Sequence, residues 1–307
     1  MNIQHMTTPA PNPRRTMLRY LSTSAVCGAY GLWSAPAVWA DTPPVTQAPS
    51  LPRLVTVGGA ITEVAYLLGA EGQLVGTDTT SVYPQAAQKT AKVGYMRQLS
   101  AEGLLSLKPD AVVATTEAGP PVVLDQIKSA GVKVEMIDST HNWLEVQRKV
   151  QAVGRLSGRE PEALALLAKL DAQWNDSLKS VAKTSFKKPR VLFILAHSSS
   201  PSVAGLKTAA DSVIRFAGCT NVMASFEGYR PMTAEAMAAA APDFILTSTQ
   251  GITAQGGVDK FWERPELALT PAFKRRALVH MDALHLLGFG PRLSEAVREL
   301  HQKIVLS

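Results

Sequence analysis

The sequence predicts an α/β protein of two Rossmann-like lobes with mostly parallel sheets, joined by one long connecting α-helix, with a ligand cleft between the lobes. Three observations predict it. Short apolar runs alternate with helical stretches on both sides of residues 141–188, that middle segment carries a helical apolar stripe, and one motif occurs twice.

The alternation starts near Arg53. Leu54–Val57, Leu74–Thr77, Ala111–Ala114 and Val132–Ile137 read as strands, with helices over Ile61–Leu68, Ala101–Leu107 and Val122–Ala130 between them. These make an N-terminal lobe over residues 53–140. In the connecting segment, 141–188, Pro161 opens a helix and Leu164, Leu167, Leu170, Trp174, Leu178 and Val181 recur at spacings of three and four. One amphipathic helix of about 25 residues spans nearly 40 Å at about 1.5 Å per residue, enough to run across two lobes. The alternation resumes in the C-terminal lobe, 189–307, with strands Val191–Leu195, Phe244–Thr247 and Leu278–Met281. Helices are predicted there over Ala209–Ala217, Ala234–Ala240 and Ser294–Ile304.

The repeat pairs Gly94-Tyr95-Met96-Arg97-Gln98-Leu99-Ser100-Ala101-Glu102 with Gly228-Tyr229-Arg230-Pro231-Met232-Thr233-Ala234-Glu235. Each is followed by Pro-Asp and a strand, and Ser100 to Pro109 matches Thr233 to Pro242 in length. Ser100 and Thr233 stand where they cap a helix, with Glu102 and Glu235 in the favourable first turn.

The 307 residues are 46% hydrophobic, sufficient for a large buried core. Arg14, Arg15 and Arg19 carry three of the six net positive charges, and with no acid before Asp41 the remainder carries +3, too little to argue for nucleic acid. Residues 1–40 read as a signal peptide: arginines, then a modestly apolar stretch from Tyr20 to Trp39, then Val38-Trp39-Ala40. The arginine pair leaves the twin-arginine and general export routes both open. Ser22, Thr23, Ser24, Ser34 and Pro36 interrupt the apolar run, against a membrane anchor. Cys27 lacks the context of a lipidation site, and Cys219 alone survives cleavage, so no intramolecular disulfide forms in the mature chain. Residues 41–52, rich in proline, read as a flexible leader.

The sequence lacks a Gly-x-Ser-x-Gly elbow, a phosphate-binding loop, a His-Glu-x-x-His pair and a Cys-x-x-Cys pair, and its six histidines are scattered. Neither catalysis nor a dedicated metal-ion site is expected. Tyr95 and Arg97, two apart in what reads as an extended connection, share a face. A phenolate is a hard ligand for ferric iron and a known axial ligand of haem, and a neighbouring guanidinium favours it while pairing with a ligand carboxylate. Taken alone, a Tyr-x-Arg is far more often a packed tyrosine beside a solvated arginine, so the surrounding sequence must supply the rest.

The wider context carries a resemblance. Residues 53 to about 304 resemble periplasmic haem-binding proteins of bacterial haem ABC transporters, on Gly58-Gly59-Ala60-Ile61-Thr62-Glu63, Val75-Gly76-Thr77-Asp78-Thr79-Thr80-Ser81-Val82-Tyr83-Pro84, Val93-Gly94-Tyr95-Met96-Arg97-Gln98-Leu99-Ser100, Ala118-Gly119-Pro120-Pro121, Thr208-Ala209-Ala210-Asp211 and Leu286-Leu287-Gly288-Phe289-Gly290-Pro291-Arg292. His285 departs from the family, where an aromatic is expected. The resemblance implies that Tyr95 binds haem iron and Arg97 a propionate. It implies that His197, at the carboxyl end of a strand, supplies a second axial ligand or holds a second haem, so that one or two haems bind per chain. Lys207 and Arg230 are candidates to neutralise propionates, and Tyr229 to line the cleft. Glu102 and Glu235 are candidates to dock on arginines of an inner-membrane permease. The expectation is a monomeric periplasmic carrier, not an enzyme, with a ferric siderophore or corrinoid as the alternative cargo. A metal-cluster enzyme is excluded by the single mature cysteine.

Overall fold

The computed structural model describes residues 51–184, 188–196 and 201–305. Residues 1–40, read as a signal peptide, nearly all of 41–52, read as a leader, and His197 lie outside the described residues. The first lobe holds β1 (Leu54–Val57), α1 (Gly59–Leu67), β2 (Leu74–Thr77), α2 (Ala101–Ser106), β3 (Ala111–Thr115), α3 (Pro121–Ser129) and β4 (Lys133–Ile137). Its four strands pair in parallel in the order β2-β1-β3-β4. Alternation along the strands divides the core. Leu54, Ala111 and Val113 pack toward α1, whereas Val55, Val112 and Ala114 pack toward Leu104 of α2 and Ile127 of α3. Burial on both faces is why these strands read as continuous apolar runs.

The connecting segment contains α4 (Trp143–Ser157) as well as the expected long helix, α5 (Glu160–Ala182). Gly158 in the left-handed region, φ 68°, ends α4, and the chain doubles back. Over 23 residues, about 35 Å, α5 passes from one core to the other. Leu167 and Leu170 pack in the first lobe and Trp174 in the second. Trp143 stacks flat on Trp174 at 5.0 Å, and its indole N–H donates to Asp171. The sequence reading missed α4 because its buried face carries Glu145, Lys149 and Ser157 beside Val146, Val150 and Val153, so charged residues stand where a core-facing helix is expected to be apolar.

The second lobe holds β5 (Arg190–Leu195), β6 (Ser202–Ala204), α6 (Ala209–Phe216), β7 (Thr220–Asn221), β8 (Tyr229–Pro231), α7 (Ala234–Ala240), β9 (Phe244–Ser248), α8 (Thr249–Ala254), α9 (Val258–Trp262), α10 (Pro271–Arg275), β10 (Leu278–Met281), α11 (Ala283–Leu287) and α12 (Leu293–Val305). β10, β9, β5 and β7 are parallel, but β6 and β8 add an antiparallel edge to β5. The second sheet is therefore mixed. Strands of three residues such as β6 are too short to leave an alternating pattern in the sequence.

The repeat is built identically where it matters. Ser100 and Thr233 each accept a backbone N–H at 3.3 Å from the third residue on, capping α2 and α7 at about 1 kcal/mol apiece. Arg53 donates to the carbonyls of Leu107 and Lys108, and Arg190 to those of Ala240 and Ala241, tying each helix end to the start of a central strand. Asp110 and Asp243 then accept the backbone N–H of Arg53 and Arg190.

Cys219 is buried in the second core, and desolvation pushes its thiol up to about 12. A chain that begins at Asp41, with Cys219 as its one thiol, is expected when folded to be unreactive toward a disulfide exchange reagent at pH 8 and to release one equivalent once denatured. Prompt reaction before unfolding would contradict that burial. Among the described residues no helix is long and apolar enough to cross a membrane.

Candidate functional site

Tyr95 follows Gly94, whose φ of 100° favours glycine. The expected extended connection is a turn, closed by the Gln98 N–H donating to the Tyr95 carbonyl at 2.8 Å. Leu99 and Met96 exchange backbone hydrogen bonds with Gly119, so the turn is pinned to the connection after β3. The turn still brings the pair together: Arg97 Nη1 donates to the Tyr95 hydroxyl at 2.9 Å. Arg97 Nη2 meets Glu117, and Glu117 Oε1 lies 3.4 Å from His141 Nε2. The His141 hydrogen bond and the Arg97 charge hold the Glu117 carboxyl below its ordinary range against burial.

Sequence reasoning missed Glu117 and His141. Both follow the carboxyl ends of strands, β3 and β4, the rule that singled out His197 and that applied equally to them.

Tyr229 looks across from the other lobe. β8 pairs Tyr229 with Ala204, which faces α6, and Arg230 with Val203, which faces α7. Tyr229 senses both Glu117 and Arg97: its phenol is pushed up to about 12, first by desolvation and then by the Glu117 carboxylate, with Arg97 opposing. It is a neutral phenol at pH 7. Tyr95 and Tyr229 keep 39% and 43% of their surface exposed, so neither is merely a core ring.

A cavity of about 500 Å³ takes its walls from both lobes, with Ser139, Thr140 and His141 on one side and Leu206, Lys207 and Arg215 on the other. Lys207 pairs with Glu227 at 2.7 Å on the exposed rim. Arg230 points the opposite way, stacked on Phe226 at 4.5 Å in a separate groove with Met223 and Ala236. Glu102 and Glu235 are exposed, and neither makes an ion pair among the described residues.

Beneath the cleft the lobes are tied. Arg292 holds buried Glu63 through two bonds of 2.8 and 2.9 Å, lies 3.7 Å over the Tyr83 ring, and meets His285 at 3.3 Å. Fully buried Lys149 donates to Glu145 and to the carbonyls of Gly288 and Phe289.

Two lobes, a helical spine and polar side chains gathered at the carboxyl ends of strands define a ligand-binding protein. The chain belongs to the periplasmic binding protein family, whose model matches residues 54–284. It is similar to the periplasmic heme-binding protein BhuT, solved in complex with two hemes, at 45% identity and a TM-score of 0.79, covering 82% of this chain and 97% of that one. It is similar to the periplasmic heme-binding protein RhuT from Roseiflexus sp. RS-1 at 34% identity and a TM-score of 0.79, covering 83% and 98%. Among curated sequences it shares 24% identity with the vitamin B12-binding protein of Vibrio vulnificus, over 83% of this chain and 90% of that protein.

Proposed function

We propose that this protein captures haem in the periplasm and delivers it to an inner-membrane ABC permease. The observation that carries the reading is the Tyr95 hydroxyl, exposed at the cleft and held by Arg97, in a chain so similar to haem-binding proteins. Tyr95 supplies the phenolate to ferric iron, and Arg97 and Lys207 are the cations for the propionates. Tyr229, as a neutral phenol, lines the opposite wall. Arg230 is a further candidate cation for a propionate, reaching it only by leaving its stack on Phe226. His197 is the second axial ligand or the holder of a second haem, and the two-heme complex of BhuT supports a capacity of two.

Glu102 and Glu235, one first-turn acid per lobe, dock on basic residues of the permease. The chain acts as a monomer, exported by residues 1–40 through the twin-arginine or general route, with residues 41–52 leading into lobes 53–140 and 189–307. The vitamin B12-binding relative favours a second reading, the same cleft holding a corrinoid.

Titrating the purified mature protein with haemin, and separately with cyanocobalamin, decides between them. Saturable haemin binding with a tyrosinate-type ferric spectrum supports the proposal. Binding of cyanocobalamin alone overturns it.

A further inference from the structure

We infer that Glu117 is a positioning residue, holding Arg97 in the one orientation that presents a guanidinium N–H to Tyr95. The arginine side chain is more than half exposed, so its own packing does not choose among its rotamers. Two contacts do. One N–H reaches the Tyr95 hydroxyl at 2.9 Å and the other arm of the fork reaches Glu117.

Glu117 is in turn anchored from behind. Its second oxygen faces His141 Nε2 at 3.4 Å, and the His141 ring meets the edge of Phe289 at 5.4 Å between centroids. The His141 backbone N–H donates to Glu145 at 2.8 Å, and Glu145 is buried against Lys149. The backbone does its part: Gly119, two residues beyond Glu117, bonds to both Met96 and Leu99 and so holds the carboxylate beside the Tyr95 turn. A line of contacts therefore runs from the buried Glu145–Lys149 pair to the tyrosine at the cleft, with Glu117 as its last fixed member. Being partly exposed, the Arg97–Glu117 pair contributes little to folding, so its effect on the ligand is separable from stability.

The haem arm of the test rests on the function proposed above; the other arm does not. Glu117→Gln and Glu117→Asp are made in the wild type, and Glu117→Gln also in an Arg97→Ala background. In the haem-free protein the Arg97 side-chain Nε–Hε signal is followed by NMR. In the haemin-loaded protein the rate of haemin transfer to apomyoglobin is measured.

Glu117→Gln is expected to broaden the Arg97 signal and to speed haemin release about 5-fold, the ratio matching a half-exposed ion pair. Glu117→Asp retains part of both. In the Arg97→Ala background Glu117→Gln changes the release rate no further, because Glu117 acts only through Arg97. An equal acceleration in both backgrounds, or an Arg97 signal as sharp in Glu117→Gln as in the wild type, overturns the inference. Failure of the wild type to bind haemin sinks the haem reading instead, and the NMR comparison still decides the positioning role.

Discussion

Tyr95→Phe is expected to lower haemin affinity by about 100-fold or more and to remove the tyrosinate-type ferric spectrum. The substitution deletes one oxygen and keeps the ring. Since Tyr95 is 39% exposed and its hydroxyl bonds only to Arg97 among the described residues, folding stability changes by no more than about 0.5 kcal/mol. The loss therefore belongs to the ligand. Arg97 loses its phenol partner but keeps Glu117, so the cation for a propionate remains. Tyr229→Phe serves as the control: its phenol, pushed up to about 12, stays protonated, and haemin affinity is expected to fall less than about 5-fold. Visible absorbance titrations measure both. A Tyr95→Phe variant that binds haemin as tightly as the wild type, with the same spectrum, removes Tyr95 from the iron.

Lys149→Met is expected to destabilise the protein by about 3–5 kcal/mol, read as a drop in the urea midpoint. Lys149 is 1% exposed and Glu145 2%, with the ammonium and carboxylate 2.7 Å apart. Methionine fills the volume but leaves the Glu145 carboxylate buried without its counter-ion and the carbonyls of Gly288 and Phe289 without their donor. Those carbonyls belong to the second lobe and Lys149 to the helix packed on the first, so the same change loosens the tie beneath the cleft. Burial already lowers the Lys149 pKa, which records the cost of placing the charge there. Adding Glu145→Gln to Lys149→Met is expected to recover much of the loss, since an unpaired charge is then no longer buried. A double variant no more stable than Lys149→Met shows that the carbonyl contacts, not the charge, carry the effect.

Much of the architecture was legible along the chain because the signals are local. Strands buried on both faces announce themselves as apolar runs, and α5 as a stripe at spacings of three and four. The repeat was legible because its caps and strand starts reuse the same residue types, Ser or Thr, Glu, and Pro-Asp. The hairpin of α4 onto α5 was not, since α4 buries the charged Glu145 and Lys149 beside its valines. The antiparallel edge of β6 and β8 was equally hidden, being made of three-residue strands paired across a long separation.

At the site the same division holds. The sequence by itself determined that a tyrosine and an arginine stand two apart in a glycine-led connection, repeated in part in the second half, within a chain of two α/β lobes. Tertiary structure decided what surrounds them. It closed the Tyr95 segment into a turn and brought Glu117 and His141, from 20 and 44 residues further on, to the Arg97 fork. It turned Tyr229 toward the cleft and Arg230 away from it, because neighbours on a strand face opposite sides. Side-chain type and spacing are properties of the chain, whereas the direction of a side chain and the identity of its distant partner depend on which strands pair and in what register.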